Sequence, residues 1–246
     1  MTDKLSFYDI LSQGNLQTFI DTEPDKLKSI NESGNTILHT LIIYSDFNNL
    51  VQYGSINMVR MLIPVLDINI PNKRGLTPLH LTLQGKEGIA NVLLEAGANV
   101  NIKCVKGYTP LCYSFKNFRN LSNITSHIET LLRARADPNI QNNKGKTPIY
   151  YAIKLADVVL TKLLLSFGAD LHISYKKGKT IYDMALKSSS KKIRNLVNQY
   201  PKVLTLRTMC LITIDINKVD ISEQPPLLFI RPDEVEENKG YLERTN

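Results

Sequence analysis

Gly75-Leu76-Thr77-Pro78-Leu79-His80 is the stretch on which the fold turns. It returns in weaker form at Gly34-Asn35-Thr36-Ile37-Leu38-His39, Gly107-Tyr108-Thr109-Pro110-Leu111-Cys112, Gly145-Lys146-Thr147-Pro148-Ile149-Tyr150 and Gly178-Lys179-Thr180-Ile181-Tyr182-Asp183. The leading glycines at 34, 75, 107, 145 and 178 lie 41, 32, 38 and 33 residues apart. A period in the low thirties, lengthened twice by insertion, is the signature of a stacked-repeat architecture. Glycine supplies the positive φ of a tight turn. The threonine two residues on caps a helix with its hydroxyl. Proline follows in three copies, at the first helical position, where its missing N–H costs nothing. Each copy therefore reads as a turn and then a helix start.

A second apolar segment closes each unit: residues 58–63, 89–94, 128–132 and 159–165. Apolar residues there recur at spacings of one, three and four, which gives a helix one greasy face. Leu93 and Leu163 are the leucines this pattern sends into the core. Gly97-Ala98-Asn99 and Gly168-Ala169-Asp170 end two of these helices in the manner of a glycine C-cap. The copy at Arg135-Ala136-Asp137 has lost its glycine.

The Gly-x-Thr-Pro-Leu-His run at 75–80, the stretch Val92-Leu93-Leu94-Glu95-Ala96-Gly97-Ala98-Asn99-Val100-Asn101 and their related copies resemble the ankyrin repeat, over roughly residues 5 to 200. The resemblance implies an all-α solenoid of helix-turn-helix repeats, with hairpin loops projecting to one side and neighbours burying each other's apolar faces. It also implies that His39 and His80, at the same place in their motifs, are structural hydrogen-bonding residues. The expected organisation is a diverged N-terminal capping repeat over 1–33, repeats over 34–200 starting near 34, 75, 107, 145 and 178, and a small C-terminal module over 201–246. Pro201 biases its predecessor away from helix and marks the boundary. Insertions near 44–54 and 116–126 lengthen the turn between paired helices.

The chain of 246 residues carries 30 basic and 23 acidic residues, a net charge of +7. That balance favours acidic partners only weakly. Cysteines at 104, 112 and 210 suit a reducing compartment. No secretory leader or apolar run of membrane-spanning length is read from the sequence. The expectation is a cytoplasmic or nuclear protein.

Basic residues recur at similar phase in the segments that form the hairpins. They are Lys73 and Arg74, Lys103 and Lys106, Lys144 and Lys146, then Lys176 and Lys177. Stacking lines them into a positive edge, read as the surface that binds an acidic protein target. The alternative is a solvated edge that keeps the stack soluble. Nucleic acid is not expected, because only Tyr108 and Tyr175 interleave with these lysines and base stacking needs more.

Beyond the repeats, Thr205-Leu206, Cys210 and Ile214 are spaced to share one helical face. This spacing resembles the Elongin-binding half of a SOCS box: a small or hydroxyl residue, Leu, three residues, Cys, three residues, an aliphatic residue. The resemblance implies that Leu206 and Cys210 pack into Elongin C, within an assembly of Elongin B/C and a cullin. Thr205, Thr208, Ile212, Thr213, Ile214 and Ile216 make the stretch β-branched, which leans towards strand. Glu223-Gln224-Pro225-Pro226-Leu227-Leu228 is only a loose counterpart of the cullin-contacting Leu-Pro-x-Pro. The other reading is a capping tail that covers the last repeat.

No catalytic residues, metal ligands or cofactor are assigned. His127 and His172 stand alone, and no His/Cys spacing matches a zinc site. Gly145-Lys146-Thr147 and Gly178-Lys179-Thr180 mimic the end of a phosphate loop, but Ile140 and Ile173 stand where its first glycine belongs. The expected function is a protein-binding adaptor, in its stronger form the substrate-recognition subunit of an Elongin–cullin–RING ubiquitin ligase. The alternative is a plain ankyrin binding or inhibitor protein, including a microbial or viral effector acting on host proteins.

Overall fold

The computed structural model describes residues 16–22, 24–44, 52–82, 86–116, 124–176 and 178–199. The chain divides into a compact unit of 1–197 and a second of 198–246, nearly all of which lies outside the described residues.

The first unit opens with α1 (Leu16–Thr22) and α2 (Pro24–Leu27), which bury Leu16 and Leu27. The repeats follow as pairs. The first helices are α3 (Ile37–Tyr44), a 3-10 helix (Pro78–Leu81), α6 (Pro110–Lys116), α8 (Pro148–Lys154) and α10 (Ile181–Leu186). The second helices are α4 (Gln52–Leu62), α5 (Glu87–Glu95), α7 (Ile124–Arg133), α9 (Val158–Ser166) and α11 (Lys191–Gln199). First helices pack on the first helices of neighbouring repeats, and α4, α5, α7 and α9 pack in series behind them. The result is two helical layers, as expected of an all-α repeat solenoid. The last hairpin adds one short antiparallel pair, β1 (Ser174–Lys176) with β2 (Lys179–Thr180).

The glycines of the motif build the turns as expected, but the Thr147 hydroxyl makes no cap hydrogen bond to α8. All five leading glycines take positive φ, from 65° to 76°. In the first four copies the residue four positions after the glycine points into the core, and Leu38, Leu79, Leu111 and Ile149 are all buried; in the fifth that place is Tyr182, half-buried, and Ile181 before it is buried instead. The 75–80 copy departs from the others in forming only four residues of 3-10 helix. Thr82 follows its last residue. Its hydroxyl donates to the Leu79 carbonyl at 2.8 Å and competes with helix propagation.

Three second helices end alike. The N–H groups of Gly97 and Ala98 donate to Leu94 and Leu93; those of Arg135 and Ala136 donate to Leu132 and Leu131; those of Gly168 and Ala169 donate to Leu165 and Leu164. Arg135 adopts φ 65° to do so. The lost glycine therefore did not change the cap; an arginine carries the left-handed conformation instead. The same alignment corrects the core register. Leu93 is fully buried, but its counterpart is Leu164, also fully buried, and Leu163 is only half-buried.

The helices that bracket the two longer insertions end at Tyr44 and Lys116 and resume at Gln52 and Ile124. The loops between them lie outside the described residues.

Candidate protein-binding face

The hairpins are held by asparagines three residues before the glycines. Asn72 Oδ1 accepts the N–H groups of Arg74 at 2.9 Å and Leu76 at 3.1 Å. Asn142 Oδ1 does the same for Lys144 and Lys146, at 2.9 and 3.1 Å. Asn31 holds Ser33 and Asn35. The backbones of Arg74, Lys144 and Lys146 are thus fixed by side chains of their own loops. Cys104 takes this place in the third repeat.

Adjacent hairpins join through their main chains. Lys73 N–H donates to Ser33, Val105 to Arg74, and Asn143 to Lys106, at 3.1 to 3.2 Å. The glycines permit this approach. A Cβ on Gly75 would sit 2.6 Å from the Val105 nitrogen, and one on Gly107 would sit 2.6 Å from that of Asn143. Loop stacking sets the spacing of the positive row.

Lys73, Arg74, Lys103, Lys106, Lys144 and Lys176 are exposed and Lys146 is half-buried, while Lys177 lies outside the described residues. The ion pairs of the described residues are Lys28–Asp25, Arg60–Glu95 and Arg133–Glu129. None of them involves the row, whose cations have no ion-pair partner among the described residues.

Two members of the row turn towards aromatic rings. Arg74 donates to the Tyr113 hydroxyl at 3.3 Å. Lys146 Nζ lies 4.5 Å from the Tyr150 ring centre. A cation that the hairpin pattern missed joins them: Lys116 Nζ is 5.1 Å from the ring centre of Tyr108 and 5.9 Å from that of Tyr113. Lys116 ends a first helix, so the phase of the hairpin lysines gave no sign of it.

The motif histidines tie neighbouring repeats together. Thr36 N–H donates to His39 Nδ1 at 3.2 Å, and Thr77 N–H to His80 Nδ1 at 3.1 Å. An accepting Nδ1 leaves the ring proton on Nε2. That nitrogen donates to Leu76 O from His39, at 2.8 Å, and to Tyr108 O from His80, at 3.0 Å. Burial holds both rings below the ordinary histidine pKa, His80 at about 4, against the opposing pull of the carbonyl bond. Cys112 stands at the same place in the third repeat. Its Sγ reaches Lys146 O at 3.9 Å, and burial, with Cys104 adding to it, pushes the thiol up to about 12. Asp183 takes the place in the last repeat and closes a capping box on Thr180.

Another buried histidine is unlike these. His127 on α7 has neither ring nitrogen hydrogen-bonded, and burial lowers its pKa to about 4. Among the described residues no group of His, Cys, Asp and Glu is placed to hold a metal ion, and no helix is long and apolar enough to cross a membrane. Thr205, Leu206, Cys210 and Ile214 lie outside the described residues.

The family model for ankyrin repeats, in three copies, matches residues 10–104, 47–126 and 120–205. The chain belongs to the ankyrin-repeat family. Over 68 residues it is 35% identical to Ankyrin repeat protein 14 of vaccinia virus (strain Western Reserve), a stretch covering 27% of this chain and 29% of that protein. Ankyrin repeat domain-containing protein OPG023 of cowpox virus (strain Brighton Red) and of monkeypox virus match at 35% over 68 residues, 10% of each protein's length. The match thus spans under a third of each of these relatives. Ankyrin-repeat solenoids present extended surfaces of the kind that bind other proteins.

Proposed function

We propose that this chain is a non-enzymatic adaptor of the cytoplasm or nucleus. Its hairpin edge and first helices hold an acidic protein target, and residues 201–246 recruit an Elongin–cullin–RING ubiquitin ligase. The observation that carries the first half is the row of Lys73, Lys103, Lys106, Lys144 and Lys176 on stacked ankyrin hairpins, without an ion-pair partner among the described residues. A row of one sign steers a partner of the other sign and sets its register. The second half rests on the spacing of Thr205, Leu206, Cys210 and Ile214. Catalysis belongs to the recruited enzymes. This chain supplies proximity, which raises effective concentration.

The likeness to poxvirus ankyrin proteins favours a second reading, a viral-type ankyrin protein that binds or inhibits a host protein with no ligase link. Co-purification with Elongin B/C separates the two. The ligase reading expects the wild-type chain to retain the Elongin pair and Leu206→Ala or Cys210→Phe to lose it. A wild-type chain that does not retain Elongin B/C leaves the plain binding protein.

A further inference from the structure

We infer that Arg74, Lys116 and Lys146 are the anchors of a docking site for an acidic peptide segment of the target, and that the exposed hairpin lysines only steer it there. The inference rests on the reading of this face as the target-binding face and divides its cations into two kinds. Lys73, Lys103, Lys106, Lys144 and Lys176 are exposed and make no ring contact among the described residues. The three anchors instead stand on a continuous floor of tyrosines. Tyr113 meets Tyr108 with ring centres 6.3 Å apart, Tyr108 meets Tyr151 at 6.5 Å, and Tyr151 meets Tyr150 at 5.3 Å. Arg74 is bonded to the first ring, Lys116 covers the first two, and Lys146 covers the last. The floor is polar only at its hydroxyls, where Asn142 donates to Tyr151 at 2.9 Å and Tyr151 donates to Tyr108 at 3.4 Å.

This arrangement suits carboxylates for three reasons. Contact with the rings already restricts the cations, so less side-chain freedom is lost on binding. The rings beneath them are nearly sealed, with Tyr113 5%, Tyr108 8% and Tyr150 9% exposed, and a charge pair formed against such a surface is screened less than one in open water. None of the three cations has a carboxylate partner among the described residues. The anchors come from three successive repeats, so a single carboxylate does not satisfy them and an extended segment with several does. The sealed rings also argue against nucleic acid, because a base needs an open ring face to stack on.

The test uses the full chain and a fluorescein-labelled oligoglutamate peptide, with a labelled oligouridylate RNA in parallel, followed by anisotropy and stopped-flow mixing. Lys116→Gln with Lys146→Gln should weaken peptide binding about tenfold or more, chiefly through faster release. Lys103→Gln with Lys144→Gln should slow association and flatten its salt dependence, leaving release within about twofold of wild type. Circular dichroism checks that both variants fold. Lys116→Met, which keeps the stem on the rings, should alone cost about threefold or more by losing the charge. Wild-type binding by Lys116→Gln/Lys146→Gln, with loss in the hairpin variant, overturns the anchoring floor and leaves the hairpin edge as the target surface. A wild-type chain that binds no oligoglutamate, or binds only the RNA, overturns both.

Discussion

His80 Nε2 donates to the carbonyl of Tyr108, 28 residues further on, at 3.0 Å. The same ring accepts from Thr77 N–H through Nδ1. One neutral imidazole therefore caps its own helix and ties it to the next repeat. The bond needs the neutral ring, since a protonated Nδ1 has no lone pair for Thr77.

The pH dependence of stability follows. His80 and His127 both titrate at about 4 in the fold because burial disfavours the cation, against roughly 6.5 in the unfolded chain. Below the unfolded value the unfolded state binds protons that the fold refuses. Stability is therefore full above about pH 6.5 and falls as pH drops towards 4, by at most about 3 kcal/mol for each ring. Urea unfolding at pH 7 and pH 5 measures the loss. His127→Leu should flatten the slope. It should also add about 1 kcal/mol at pH 7, because it removes a buried ring with no hydrogen-bond partner.

Arg135 holds φ 65°, where its counterparts are Gly97 and Gly168. A side chain in that region costs about 1–2 kcal/mol, and glycine returns part of the gain as unfolded-state entropy. Arg135→Gly should raise stability by about 0.5–1 kcal/mol net, while Gly97→Ala should lower it by a similar amount. A thermal unfolding series on the two variants tests both signs.

What was legible in the sequence was whatever the backbone itself demands. Positive φ at 34, 75, 107, 145 and 178 needs glycine, and a helix start tolerates proline, so the repeat and its turns stood out. Interactions that cross repeats were harder to see. Asn72 and Asn142 organise the hairpins, but the pattern is broken by Cys104 and Tyr175 at the same place. Lys116 meets the Tyr108 ring from the far end of the helix that follows it, a contact no apolar period records. The four-residue 3-10 helix at Pro78–Leu81 is a local departure that the same period does not show.

Apolar spacing alone also misplaced one leucine, and this can be measured. In a run as greasy as Val159-Leu160-Thr161-Lys162-Leu163-Leu164-Leu165, period cannot choose between neighbours; distance from Gly168 can. Leu164→Ala should cost about 2–5 kcal/mol, as a fully buried leucine does. Leu163→Ala, at a half-buried site, should cost clearly less. Equal losses in urea unfolding would return the register to the one that apolar spacing gives.

The end of the stack bears on what the tail is for. A solenoid needs a polar outer face on its last repeat. α11 supplies one: Ile193, Leu196 and Val197 are buried, while Lys191, Lys192, Asn195 and Gln199 are exposed. The fifth repeat also ends the inter-repeat ties, with Asp183 where His80 stands in the second. The exposed polar residues of α11 are what a terminal repeat presents to water. If the repeats stand without a cover, a chain ending at Tyr200 should unfold within about 0.5 kcal/mol of the full protein. It should keep oligoglutamate binding and lose any binding to Elongin B/C. A fall of several degrees in melting temperature on truncation would mean that Leu206 and Cys210 serve the fold, and the capping reading of the tail would then replace the ligase one.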